Sequence, residues 1–201
     1  LSGSENEKGI KALILTPTRE LAIQIFESFK SYGRYTGIRT AAVYGGVSQK
    51  PQEAALRQGV DILVATPGRL MDLMHQKIIS LKKVRILTLD EADRMLDMGF
   101  IHDVRRIVSS VPVQRQTLFF SATMPPLVAE IAGSILKDPV KVDVMPDEPT
   151  VDLIEQSLYY VEKADKRPLL LHLLKETDME SVLIFSRTKH GADRITKDLN
   201  K

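Results

Sequence analysis

Short apolar runs alternate along the chain with longer stretches in which apolar residues return every third or fourth position. The runs predict strands over Lys11 to Thr16 (KALILT), Ile38 to Tyr44, Asp61 to Ala65, Val84 to Leu89, Thr117 to Phe120 and Val140 to Val144. The intervening patterns predict helices from about Thr18 to Tyr35, near Pro51 to Gln58, from Thr66 onward, over Phe100 to Val111 and over Pro126 to Leu136. The pattern is clearest in the fourth of these, where Ile101, Val104, Ile107, Val108 and Val111 share one helical face and Pro112 closes it. Strands that are almost wholly apolar and separated by helices indicate a parallel sheet covered by helices on both faces, an α/β fold. Met145 to Asp152 (MPDEPTVD) carries prolines and acids without periodicity and reads as a linker. After it the alternation resumes, with strands over Gln156 to Val161 and Ser181 to Phe185 and helices over Lys166 to Lys175 and His190 to Asn200. The expected organisation is one domain over residues 1–144, a linker over 145–152, and the beginning of a second α/β domain over 153–201, too short to be complete.

Composition narrows the class. Of 201 residues 43% are apolar and 27% charged, which is ordinary for a water-soluble globular chain. The net charge of +2 does not advertise an anionic partner, so any basic surface must be local. The absence of cysteine excludes disulfides, thiolate catalysis and Cys-based zinc sites, and suits the reducing cytosol. His75, His102, His172 and His190 stand too far apart for metal-ligand spacing. No apolar run is long enough to span a membrane, and LSGSENEKG is not a targeting pattern; without an initiator Met it reads as an internal piece of a longer polypeptide.

The candidate chemistry gathers after the apolar runs, where open α/β sheets bind their ligands. Val84 to Leu89 ends in Asp90-Glu91-Ala92-Asp93, three carboxylates in four positions. Like charges held that close need compensation. A divalent cation held by Asp90, with Glu91 orienting an attacking water, is one answer; an acidic first helical turn favoured by the dipole is the other. Ser121-Ala122-Thr123 follows another apolar run, and by itself is an ordinary cap. Thr66-Pro67-Gly68-Arg69 and Pro17-Thr18-Arg19 each offer a capping Thr and free first-turn N–H groups for a phosphate. Gly45-Gly46 permits a close backbone approach, or only a tight turn. Lys82-Lys83 and Arg105-Arg106 read as solvated surface, and Met95 and Met98 as core or boundary packing.

PTRELA (Pro17 to Ala22), Gly45-Gly46, ATPGRL (Ala65 to Leu70), LDEADRMLDMGF (Leu89 to Phe100) and SATMP (Ser121 to Pro125) together resemble, in order and spacing, the DEAD-box ATP-dependent RNA helicases. The runs DEADRMLDMGFIHDVRRI and FSRTKHGAD resemble the bacterial RhlE-like branch. The resemblance covers nearly the whole chain. It implies two RecA-like α/β domains, cytoplasmic location, and unwinding or remodelling of short RNA duplexes at the expense of ATP. It also implies roles. Asp90 would hold Mg²⁺ through water, Glu91 would activate the attacking water, and Asp93 would bridge toward the other domain. Ser121 and Thr123 would couple nucleotide state to RNA opening. Pro17, Thr18, Arg19, Gly46, Thr66, Pro67, Gly68 and Arg69 would contact the RNA backbone, with Phe185, Arg187 and Thr188 as a second-domain RNA element.

The pattern departs from the family in three respects. No G-x-x-x-x-G-K-[ST] occurs; GGVSQK lacks the Gly-Lys-Thr ending and cannot grip phosphates with its lysine. The adenine-recognition segment and the second domain's arginines for the γ-phosphate have no counterpart either. The 201 residues alone are therefore expected not to turn over ATP, and the sheet to show an apolar gap where the phosphate-loop strand would lie. Two alternatives stand beside this reading. One is a non-catalytic RNA- or partner-binding fragment; the other is a DNA-directed helicase of the wider superfamily, against which DEAD rather than DExH argues by analogy.

Overall fold

The computed structural model describes residues 9–144, 155–176 and 180–200, and the chain divides into two compact units, residues 1–141 and 142–201. The expected linker, Met145 to Asp152, lies outside the described residues.

The first unit is a five-stranded, fully parallel sheet in the order β2-β3-β1-β4-β5, built from Ala12–Leu15 (β1), Thr40–Val43 (β2), Ile62–Ala65 (β3), Ile86–Leu89 (β4) and Gln116–Phe119 (β5). The α/β architecture with a parallel RecA-like sheet is as the sequence indicates. β1 and β3 are buried at every position, which is why they appear in the sequence as unbroken apolar runs.

The helices are Arg19–Tyr32 (α1), Lys50–Arg57 (α2), Pro67–His75 (α3), Ala92–Asp97 (α4), Ile101–Ser109 (α5) and Pro126–Ile135 (α6). The hand of the crossovers decides which face each covers. From β1 the chain steps outward past β3 to β2, whereas every later step runs the other way across the sheet. Right-handed crossovers therefore place α1 on one face and the other helices opposite. Ile25, Phe26 and Phe29 of α1 pack on Ala12, Ile14, Ile62 and Val64. The larger core lies beneath the other face, where Leu13, Leu63 and Leu87 meet Leu70, Leu73, Met95 and Ile107. At the opposite edge from the strand ends, Asp61 takes Lys11 at 3.3 Å and the Arg39 backbone N–H at 3.0 Å, tying the starts of the three strands β1, β2 and β3. Burial opposes the Asp61 charge, but these bonds and the two cations hold its carboxyl below the ordinary range.

β5 forms the sheet's edge. Leu118 and Phe120 lie on the same face as Ile14 and Val64 by register, and both are exposed because α1 packs over β1 and β3 and leaves β5 uncovered. A groove of about 570 Å³ runs beside β5, lined by Val113, Arg115, Thr117, Ile135, Leu136 and Pro139. The five described strands keep an unbroken order beside it.

Three expected strands do not form. Residues 140–144, 156–161 and 181–185 have no strand structure. A strand is held by ladder bonds to a neighbour, and none of these segments pairs with another strand among the described residues. Val140, Val142 and Val144 accordingly stand almost fully exposed, as do Tyr160 and Phe185. Among the described residues the regular elements of the second unit are helices Lys166–Glu176 (α7) and Lys189–Leu199 (α8), joined by an Arg167–Asp198 ion pair at 2.6 Å. Among the described residues no helix is long and apolar enough to cross a membrane.

Candidate nucleotide and nucleic-acid site

All five strands end in one row. The ladder runs one residue past them, with Thr66 N–H donating to Val43 O at 3.0 Å, Thr16 N–H to Ala65 O at 3.0 Å, Asp90 N–H to Leu15 O at 2.9 Å and Phe120 N–H to Leu89 O at 2.8 Å. Those four bonds, counted from the same strand ends, align Tyr44-Gly45-Gly46, Thr66 to Arg69, Thr16 to Arg19, Asp90 to Asp93 and Phe120 to Thr123 along the carboxyl edge. Every first-unit candidate residue lies there.

The acidic end is built on β4. Asp90 is half-buried; its Oδ1 accepts the Glu91 N–H at 3.1 Å, and among the described residues no cation pairs with it. Burial, with the Glu91 charge adding to it, pushes its carboxyl above the ordinary value despite that bond. Glu91 follows in the left-handed region, φ 50° and ψ 53°, and its carboxylate meets Arg94 at 3.2 Å. A side chain held in that conformation costs about 1–3 kcal/mol, so it is retained only where the surroundings impose it.

A raised, half-buried carboxylate without a protein cation, beside a strained acid, fits a hard divalent ion such as Mg²⁺, which would restore the charge that burial opposes. Asp90→Asn should therefore stabilise the fold at neutral pH, and only modestly, because solvent screens this half-buried site. The sign follows from the upward shift. Asp90's favourable contribution is present when it is protonated and is lost as pH rises through its folded value. Thermal melts should thus show a gain at pH 7 that vanishes below its ordinary value of 3.8.

Asp93 is already satisfied. Its Oδ2 accepts Thr123 Oγ1–H at 2.7 Å and Thr123 N–H at 2.9 Å, its own N–H donates to Ser121 Oγ at 3.2 Å, and Ser121 Oγ–H donates to Thr123 O at 2.7 Å. Partial burial works against its charge, but the Thr123 bonds outweigh it and hold the carboxyl below the ordinary value. The ends of β4 and β5 are thereby coupled through side chains 30 residues apart.

The opposite end of the row is glycine-lined. Gly46, at φ +78°, and Gly45 and Gly68 each have nothing within 4 Å of where a Cβ would project, so ligand backbone has room to approach. Thr18 caps α1, accepting Leu21 N–H at 3.3 Å, and Arg19 is exposed with its guanidinium 5.8 Å from the Tyr44 ring centre. Thr66 occupies the cap position of α3 as expected, but its side chain makes no capping bond, and it is buried along with Pro67. Arg69 turns inward: Nη2 donates to Val47 O at 3.1 Å, and Nη1 is buried without a partner. In the second unit Thr188 caps α8 through Gly191 N–H at 3.0 Å, with Phe185 exposed. Met95 is core, as expected, whereas Met98 is exposed rather than packed at a core boundary, and Arg105 pairs with Glu130 at 2.8 Å.

Sequence reasoning missed Tyr44 and Gln52, which hold the glycine loop. The available signal was an aromatic residue closing a strand directly before Gly-Gly.

The comparisons agree with the geometry. The family model for the DEAD/DEAH box helicases matches residues 1–131. The chain is similar to the DEAD-box ATP-dependent RNA helicase CshA of Streptococcus pneumoniae serotype 4, at 42% identity over 96% of this chain and 37% of the relative. It is similar to the ATP-dependent RNA helicase RhlB of Shewanella sp. strain W3-18-1, at 44% over 92% and 43% respectively. With DEAD-box ATP-dependent RNA helicase 30 of Arabidopsis thaliana it shares 45% identity over 96% of this chain and 33% of the relative. The chain thus spans between about a third and less than half of the length of these relatives. A row of strand ends carrying Asp90-Glu91-Ala92-Asp93 after β4, together with a family model covering most of the first unit, establishes that this chain belongs to the DEAD/DEAH box helicase family.

Proposed function

We propose that the chain is the part of an ATP-dependent RNA helicase that carries the acidic side of the ATP site and a first-domain groove for RNA backbone. The observation that carries this reading is the single row of strand ends, acidic at β4 and glycine-lined at β2 and β3. Asp90 would hold the magnesium ion through water, and Glu91 would orient and deprotonate the attacking water. When bound, Mg²⁺–ATP supplies the cleavable phosphate and the positive charge that Asp90 lacks. The Asp93–Thr123–Ser121 bonds keep the two strand ends together, so movement at the acidic site is transmitted to the loop after β5. Thr18, Arg19, Gly46, Gly68 and Arg69 would line the RNA side, where contact with phosphate and ribose requires no base reading, and the buried Pro17, Thr66 and Pro67 would shape the turns that carry them. The run DEADRMLDMGFIHDVRRI supports the RhlE-like branch, and the sequence alternation after residue 153 supports the opening of a second RecA-like domain, although neither of its expected strands forms.

Two measurements test the reading. The purified 201-residue chain should bind single-stranded RNA weakly and without sequence preference, with affinity falling as salt rises. It should hydrolyse no ATP, because it holds the acids without a lysine-bearing phosphate loop. Mg²⁺-dependent turnover by the chain, absent in a Glu91→Gln control, would refute the second expectation; equal affinity for DNA and RNA would redirect the first toward a DNA-directed helicase.

A further inference from the structure

Gln52 is the one buried residue of α2, a helix otherwise turned to solvent or half-buried. Burying a polar side chain is unfavourable unless its hydrogen bonds are made, so its partners show what holds it there. All three partner groups belong to the chain between β2 and α2. Oε1 accepts Tyr44 N–H at 3.1 Å, and Nε2 donates to Tyr44 O at 3.1 Å and to Ser48 O at 3.3 Å. The amide thus brackets Gly45, Gly46 and Val47, which make no use of a side chain of their own to fix their path. The helix carrying Gln52 is itself anchored, since Gln49 Nε2 donates to Gln76 Oε1 at 2.7 Å, beside the end of α3. From the bracketed loop Val47 O accepts Arg69 Nη2, and the Tyr44 ring lies near the Arg19 guanidinium.

We propose that Gln52 is a positioning residue for RNA binding, fixing the Gly45-Gly46 loop and, through Val47 and Tyr44, the placement of Arg69 and Arg19. It touches no RNA itself. Without its amide the loop would lose the three bonds that set its path. Arg69 would then hold a carbonyl whose place is no longer fixed. The inference rests on the reading of this edge as an RNA surface, so the test measures the loop and the RNA separately.

In the 201-residue chain, Gln52→Met keeps the side-chain length while removing every hydrogen bond. Hydrogen exchange at the amides of residues 44–48 should accelerate, while amides in β1 and β3 keep their protection. Affinity for a fluorescein-labelled oligouridylate should fall about three- to tenfold, the size expected when a preorganised contact surface must be ordered on binding. Arg69→Ala alone should weaken binding as well, and Gln52→Met combined with it should add less than the two separate losses multiplied together. Should Gln52→Met not fold, Gln52→Glu, which keeps the acceptor for Tyr44 N–H, serves in its place. If exchange accelerates but affinity holds, or the losses multiply fully, Gln52 is merely structural and the proposal is overturned while the RNA reading stands. Unchanged exchange overturns it directly. If the unaltered chain binds no RNA, the RNA reading of this chain fails and the proposal falls with it.

Discussion

Glu91→Gln is expected to lower ATP turnover by about 10²–10⁴-fold, the range a positioned general base contributes. The measurement belongs in a longer polypeptide that joins this chain to a phosphate-binding loop. Glutamine keeps the length of the side chain and can still accept a bond from Arg94, which lies 3.2 Å from the carboxylate. What it cannot do is take a proton. Nucleotide affinity should therefore stay nearly constant while kcat collapses, and an unchanged kcat would remove Glu91 from the chemistry. Glycine at the same position gives the complementary result. Residue 91 sits at φ 50°, where an L side chain costs about 1–2 kcal/mol relative to the right-handed region. Glu91→Gly should stabilise the fold by less than that, since glycine also loosens the unfolded chain. Together with Asp90→Asn, this means that the two central acids of the site are each held against the preference of the fold. A site that only capped α4 would gain stability from its acids rather than lose it.

That cost was not visible in the sequence, although the place was. The parallel sheet was legible because strands buried on both faces appear as unbroken apolar runs, as β1 and β3 do, and because loops after such strands share one edge. Strand order and the lopsided helix cover required the three-dimensional path. Helix α4 was legible only as an acidic first turn and without bounds, since its six residues, Ala92–Asp97, are too few to display a period. Val140 to Val144 shows the opposite failure. Alternation reports that a segment suits a ladder, and says nothing of whether a partner is at hand. Gln52 was invisible for a third reason, since a glutamine in a helix of Lys, Gln, Glu and Arg reads as solvated surface. The Asp93–Thr123 bonds join residues 30 apart, and no local pattern encodes such a contact. Chemistry after strand ends is thus legible, whereas the groups that hold it in place are not.

Leu63→Ala tests the scaffold on which the row of strand ends depends. Leu63 is fully buried in β3, paired on one side with Leu13 of β1 and on the other with Ala41 of β2. It points into the larger core, toward the face covered by α2 to α5. Truncation removes its transfer free energy and leaves a cavity that a parallel sheet, tied by ladder bonds on both sides, cannot close; the expected loss is about 2–5 kcal/mol. Against a total of about 5–15 kcal/mol for a typical domain, that loss is large. The chain has no tryptophan, so the melt is best followed by far-UV circular dichroism. Val113→Ala supplies the contrast, because Val113 is 95% exposed and its loss should fall within about 0.5 kcal/mol of zero. If Leu63→Ala were as mild, β3 would not be an interior strand. The alignment of Thr66 with Thr16 and Asp90 would then lose its support, because Thr66 follows β3 and its position in the row is set by the pairing of that strand on both sides.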